Sequence, residues 1–172
     1  MTILTKFGIG LAIGLPNAIG WAGSSLTRNA IPTWYEKELK LPSWRPPNRA
    51  FPIVWTSLYT AMGYSSYLIW RDGQGFSGAG RIPLYFYGAN LALNGLWTPL
   101  FFGKKRIDLA MVDILALLGV IGGCIATFHP VNPTASYLLI PYFIWTTFAA
   151  ALNFQIWRDN RKKGSETSPK SL

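Results

Sequence analysis

An all-α bundle of five membrane-spanning helices is the fold this sequence predicts. Three observations predict it. Charged residues make up 13% of the 172, against roughly 25% in typical soluble proteins. Half of the residues are apolar, and they gather into five stretches, each close to the about 20 residues that a helix needs to cross a bilayer. The charges sit in the short segments between these stretches, as they do in membrane loops. A soluble chain with so few charges could not cover its surface with polar groups, whereas lipid removes that need.

The first span is expected over residues 7–27. An apolar run behind Lys6 is also how a signal peptide begins. This one is longer than the usual core of about 7–15 residues, and Pro16 and Asn17 interrupt it. It is rich in small residues. Gly10 and Gly14 form one small-xxx-small pair and Gly20 with Ser24 a second. Such pairs let helix backbones approach closely in lipid, here within one subunit, the alternative being a dimer face.

Residues 28–49 form the longest loop. Trp34, Tyr35, Leu39 and Leu41 alternate with Glu36, Lys37, Glu38 and Lys40. That pattern suits a short amphipathic helix at the interface, or a lid folded over the end of the bundle. Pro46 and Pro47 bar regular helix before the second span. Pro52 is tolerated in a first helical turn, where donors lack partners anyway.

The second span is expected over 52–70, with no Asp, Glu, Lys or Arg until Arg71. Trp55, Tyr59, Met62, Ser66 and Trp70 fall three or four apart and share a face. The third is expected over 82–102 and carries Asn90 and Asn94 one turn apart, then Trp97. Amides inside a membrane face protein, water or ligand, so these two either bond between helices or mark a polar spot in a pocket. The fourth, over 109–128, follows the basic turn Lys104-Lys105-Arg106. It contains Asp113, close enough to the interface to expect a structural ion pair or hydrogen bond. The fifth is expected over 135–157, with Trp145, Phe148, Ala149 and Leu152 at helical spacing. Residues 159–172 read as a basic, disordered tail.

Five spans put the termini on opposite sides. Lys6, Arg71 and Arg81 fall on one side, and the other thirteen of the 16 basic residues fall on the side of the long loop and the tail. The positive-inside rule places that side in the cytoplasm. This distribution also argues against nucleic acid, despite a net charge of +9, because no interleaved basic and aromatic pattern is present. A single cysteine, Cys124, excludes an intramolecular disulfide and a cysteine-cluster metal site. One histidine in a proline-flanked turn, His129, offers no triad or metal cluster, and no phosphate loop is present. No cofactor and no catalytic residue are therefore expected. What remains is a small bundle with an aromatic interior. Trp34, Trp44, Trp70 and Trp157 lie near span ends and read as interface anchors. Trp55, Tyr59, Trp97, Trp145 and Phe148 could instead line a flat apolar cavity, which suits a rigid ligand with one or two polar groups.

The chain resembles the translocator protein family, also called the peripheral benzodiazepine receptor and, in bacteria, the tryptophan-rich sensory protein. The residues that carry the resemblance are Trp34-Tyr35, PSWRPP at 42–47, VWTSLYTAMGYSSYLIW at 54–70, ALN at 92–94, Trp97-Thr98-Pro99, FFG at 101–103, Pro141-Tyr142, Trp145 and LNFQIWRDN at 152–160. They run in order over nearly the whole chain, and the WRDN ending and basic tail resemble the animal mitochondrial branch. The resemblance implies a five-helix bundle, often a homodimer, in the mitochondrial outer membrane with its tail in the cytosol. It implies binding of cholesterol, of porphyrins such as protoporphyrin IX and heme, and of isoquinoline and benzodiazepine drugs, in the service of cholesterol transport for steroid synthesis. By motif, the implied pocket residues are Phe51, Trp55, Asn94, Trp97, Trp145, Ala149 and Leu152. The implied sterol segment falls on Leu152, Phe154 and Arg158, with Phe154 where the pattern has Tyr, so that a hydroxyl is missing. Bacterial relatives suggest an alternative, light-dependent oxidative degradation of protoporphyrin IX involving Trp55 and Trp145. A scaffold role in the membrane is a third reading.

Overall fold

The structure, a computed structural model, describes residues 3–161. It is all-α, as expected, with five long helices among the described residues. These are α1 (Ile3–Ala30), α3 (Ala50–Asp72), α4 (Arg81–Thr98), α5 (Ile107–Phe128) and α7 (Ile140–Asn160); short helices α2 (Glu36–Glu38) and α6 (Pro133–Tyr137) lie in the connections. Lys162, Lys163 and Lys170 of the expected tail lie outside the described residues. α7 runs on to Asn160, three residues past the expected end of the fifth span.

The outer face of the bundle is apolar. Leu11, Leu15, Ile53, Ile82, Val112, Leu115 and Ile144 are all exposed, which fits a protein whose solvent on that side is lipid. α5 and the stretch Pro133–Asn160 are apolar and long enough to cross a membrane by composition alone. α1, α3 and α4 are less aliphatic and use Gly, Ser, Trp and Tyr instead.

One departure from the expected helices has a local cause. The fifth span is split between α6 and α7, because Pro141 has no N–H to offer the Tyr137 carbonyl and the helix breaks just before it. Asn132 caps α6, its side-chain oxygen accepting from the Ala135 N–H at 2.9 Å. α1, by contrast, runs straight through Pro16. That proline leaves the Ala12 carbonyl without its helical donor. Gly63 of α3 packs there: a Cβ at position 63 would fall onto the Ala12 oxygen and within 2.6 Å of the Ile13 Cα.

The expected close packing holds for the second small-residue pair of α1 and not for the first. Gly10 and Gly14 have nothing within 4 Å of a built Cβ and face open space. Gly20 instead meets the Tyr59 ring, and Gly23 meets Thr98 at 3.1 Å. The close approach of α1 to α3 depends on the glycine of α3.

The interior has two apolar cores. One surrounds Met62, Ile69, Ile121, Phe128 and Tyr142 between α3, α5 and α7. The other lies at the opposite end, where Trp34 and Tyr35 meet Phe101, Ala110, Leu152 and Ile156. Trp34 is thus not an interface anchor. It is 6% exposed, with its ring edge-on to Phe101 at 5.8 Å. The 28–49 segment combines both expectations: it stays helical to Glu38, and it folds over the end of the bundle as a lid. A π-helical turn (Ile31–Tyr35) feeds α2, and the chain is extended by Leu39, at φ −92° and ψ 142°.

Candidate functional site

Between the two cores the bundle encloses a cavity of about 440 Å³, within the roughly 300–1,000 Å³ of small-molecule sites. α3 contributes Phe51, Trp55 and Tyr59, and α4 contributes Asn94 and Trp97. α7 contributes Ala149, Leu152 and Asn153, and Tyr35 and Asn48 reach in from the lid. Six of the seven pocket residues expected from the sequence are thus brought together: Phe51, Trp55, Asn94, Trp97, Ala149 and Leu152. Trp145 is not. It stands one layer behind, edge-on to Phe51 at 6.0 Å and against Phe148 at 5.3 Å. Phe148 in turn carries the lid's Trp44 at 5.6 Å. Trp145 props the wall that Phe51 presents.

α1 supplies a whole side of the cavity that the sequence reading did not assign. Ile19, Gly20, Gly23 and Thr27 line it, with Trp21 and Arg28 at the rim. The signal was there: Pro16, Gly20, Gly23 and Thr27 recur at helical spacing on one face. Of the two pairs read as helix-packing positions, Gly20 and Ser24 are cavity wall, whereas Gly10 and Gly14 are not.

The expected sterol residues do not share a face. Leu152 is buried against the cavity, whereas Phe154 is 44% exposed on the outside of α7. Arg158 is exposed as well, and its guanidinium donates to Gln155 at 2.9 Å and to Asp159 at 3.2 Å. Residues two apart on a helix point about 200° apart, so Leu152 and Phe154 cannot meet one ligand from the same side.

The aromatic wall is ordered by hydrogen bonds. Trp97 stacks on Phe101 at 4.8 Å, and its indole N–H donates to the Asn153 side chain at 3.2 Å. A polar chain runs along the cavity floor and into the core. The Tyr59 hydroxyl donates to Asn94 at 2.7 Å, and the Asn94 amide donates to the Tyr142 hydroxyl at 2.7 Å. Tyr142 then donates to Asn90 at 2.9 Å, and Asn90 to the Met62 sulfur at 3.0 Å. The two asparagines divide the roles expected of them. Asn90 is an interhelical bond deep in the core, and Asn94 both bonds the helices and faces the cavity. At the mouth, burial pushes the Tyr35 hydroxyl above its usual pKa, and the nearby Arg45 guanidinium opposes this. The site is therefore a flat aromatic slot with a few fixed polar groups, suited to holding a rigid apolar molecule by stacking and burial.

Asp113 departs from expectation. Both of its carboxylate oxygens are buried without a hydrogen-bond partner among the described residues. It sits on the inner face of α5 with Ala110, Ile114 and Leu117, while Lys104, Lys105 and Arg106 are exposed. The expected ion pair is missing because the basic turn points outward. Arg106 is engaged by Asp108 instead, at 2.7 Å. An unpaired buried acceptor costs about 1–3 kcal/mol. Asp113→Leu, which replaces both unpaired oxygens by an apolar side chain of similar size, is accordingly expected to raise the thermal midpoint in detergent by about 2–4 °C for each kcal/mol recovered without changing ligand affinity; a lowered midpoint would show a partner for the carboxylate. Among the described residues no cluster of three or more His, Cys, Asp or Glu could hold a metal ion.

Comparison with known proteins gives a consistent picture. The family model described as the TspO/MBR family matches residues 12–158. The translocator protein of Bos taurus is 41% identical over 151 residues, covering 88% of this chain and 89% of that protein. The tryptophan-rich protein TspO of Archaeoglobus fulgidus is 41% identical over 141 residues, 81% of this chain and 88% of the relative. The tryptophan-rich sensory protein of Cereibacter sphaeroides is 39% identical over 127 residues, 74% of this chain and 77% of the relative.

Proposed function

This chain belongs to the TspO/MBR family of membrane helical bundles, and from that premise we propose that it is a receptor for flat, largely apolar ligands, cholesterol and porphyrins such as protoporphyrin IX foremost, in the mitochondrial outer membrane. Its physiological work on this reading is to assist the movement of sterol toward steroid synthesis, with isoquinoline and benzodiazepine drugs competing for the same space. The lid and tail face the cytosol, as the thirteen basic residues on that side favour.

The observation that carries the proposal is the aromatic cavity itself. Trp55, Trp97 and Phe51 line it with aromatic rings, and Tyr59 and Asn94 offer polar groups on the floor. Arg28 at the rim is a permanent cation, suited to the carboxylates of a porphyrin. The reading rests on binding rather than on chemistry performed by the chain.

Titration of the purified protein with protoporphyrin IX and with cholesterol is expected to give saturable quenching or shift of tryptophan fluorescence. Trp97→Ala removes a stacked ring and the partner of Asn153, and is expected to weaken porphyrin binding about tenfold or more, or about 1.4 kcal/mol. Absence of saturable binding in the wild type would overturn the proposal. The same mixture under illumination, followed by absorbance, separates binding alone from light-driven breakdown of the porphyrin.

A further inference from the structure

The WRDN ending of the long terminal motif has no part in the cavity, yet its last residue reaches across the molecule. Asn160 lies at the end of α7, and its side-chain oxygen accepts the Lys40 N–H at 2.9 Å. Its side-chain nitrogen donates to the Lys40 carbonyl at 3.1 Å, and also to the Ile156 carbonyl of its own helix at 2.8 Å. Both backbone groups of one lid residue are thus held by one amide 120 residues away. The arrangement is what a neighbouring strand would provide to an extended chain.

The segment held in this way is stiff. Pro42, Pro46 and Pro47 restrict its backbone, and Pro42 is buried. It is also braced to itself. The Asn48 amide donates to Glu36 at 2.8 Å, and Arg45 donates to Asn48 at 2.9 Å and pairs with Glu36 at 3.8 Å. Asn48 and Tyr35 line the cavity. A rigid, self-braced flap with its inner side over the cavity moves as one piece, so a tie at Lys40 restrains the whole. The other end of the tie is α7, the helix that carries Ala149, Leu152, Asn153 and Ile156 into the cavity wall.

We propose that Asn160 is a positioning residue that latches the lid to α7 and thereby sets how fast a ligand enters and leaves the cavity. The proposal rests on the cavity being a ligand site. Asn160 itself does not line the cavity, so it acts on the path rather than on the bound contacts.

The test uses the full chain in lipid nanodiscs with two variants. Asn160→Ala removes the latch from the helix side. Lys40→Pro removes the N–H from the lid side; Leu39 before it is already extended, as a residue preceding proline must be. Hydrogen exchange at the Lys40 amide reads the latch directly, without ligand, and is expected to speed up in Asn160→Ala. Stopped-flow dilution of bound protoporphyrin IX is expected to show release and entry both faster, by about five- to tenfold, with the equilibrium affinity changed much less. Asn160→Asp keeps the acceptor and loses the donor, and is expected to fall between. A Lys40 amide that exchanges equally in wild type and Asn160→Ala would overturn the latch. A protected amide with unchanged porphyrin kinetics in both variants would overturn the gating role. A wild type that binds no porphyrin would instead overturn the ligand-site reading, and the gating role with it, while the exchange result still decides the latch.

Discussion

Gly63→Ala is expected to destabilise the bundle by about 1–3 kcal/mol, lowering the thermal midpoint by about 3–10 °C. The added Cβ falls onto the Ala12 carbonyl oxygen and within 2.6 Å of the Ile13 Cα. Both are backbone atoms, so no flexible side chain can give way, and α1 must move off α3. α1 also carries Ile19, Gly20, Gly23 and Thr27 into the cavity wall, so the same displacement is expected to weaken porphyrin binding. Gly10→Ala is the control. Its Cβ meets nothing within 4 Å, and replacing a helical glycine by alanine is neutral to favourable. Thermal unfolding of the two variants in one detergent compares them, and equal midpoints would refute the crossing described at Gly63.

The second large effect is expected from Tyr142→Phe. The Tyr142 hydroxyl is the middle of the polar chain: it accepts from Asn94 and donates to Asn90. Tyr142 and Asn90 are each 1% exposed, so water does not reach Asn90 in place of the lost oxygen. Removing it leaves one buried N–H and one buried C=O unpaired, each costing about 1–3 kcal/mol. The expected sum is about 2–4 kcal/mol, less than full additivity because neighbouring asparagines can adjust. Asn94 also holds Tyr59 at the cavity floor, so ligands with a polar group should lose more affinity than purely apolar ones. Tyr137→Phe, at an exposed tyrosine, should be silent. A Tyr142→Phe protein as stable as wild type would show that the amides find other partners.

Much of the fold was legible because membrane helices write themselves into composition. A polar backbone in lipid must close its hydrogen bonds within a helix, and a span must be apolar over a set length. Most of the site was legible too, since Trp55 and Tyr59 share a face of α3, and Asn94 and Trp97 follow one another along α4 at spacings that a helix converts into neighbours. Leu152 and Phe154 could have been separated on the same ground, because residues two apart lie on different sides of a helix. What periodicity could not rank was depth around a face. Trp145 has the same spacing to Ala149 and Leu152 as a lining residue would, and Phe51 from another helix stands in front of it. Trp34 has the neighbours of an interface anchor, and only the fold of the lid onto Phe101 and Phe102 buries it.

By itself, then, the sequence determined the class of solvent, the number and order of the helices and the aromatic face of α3. These follow from local composition and from the fixed period of the helix. The tertiary structure decided that α1 walls the cavity, that Gly63 rather than Gly10 or Gly14 sets the closest crossing, that Asp113 points away from the basic turn beside it, and that Asn160 holds Lys40 across 120 residues. Each of these depends on how two distant segments are turned toward one another. A linear pattern carries the faces of a helix but not which neighbour each face will meet.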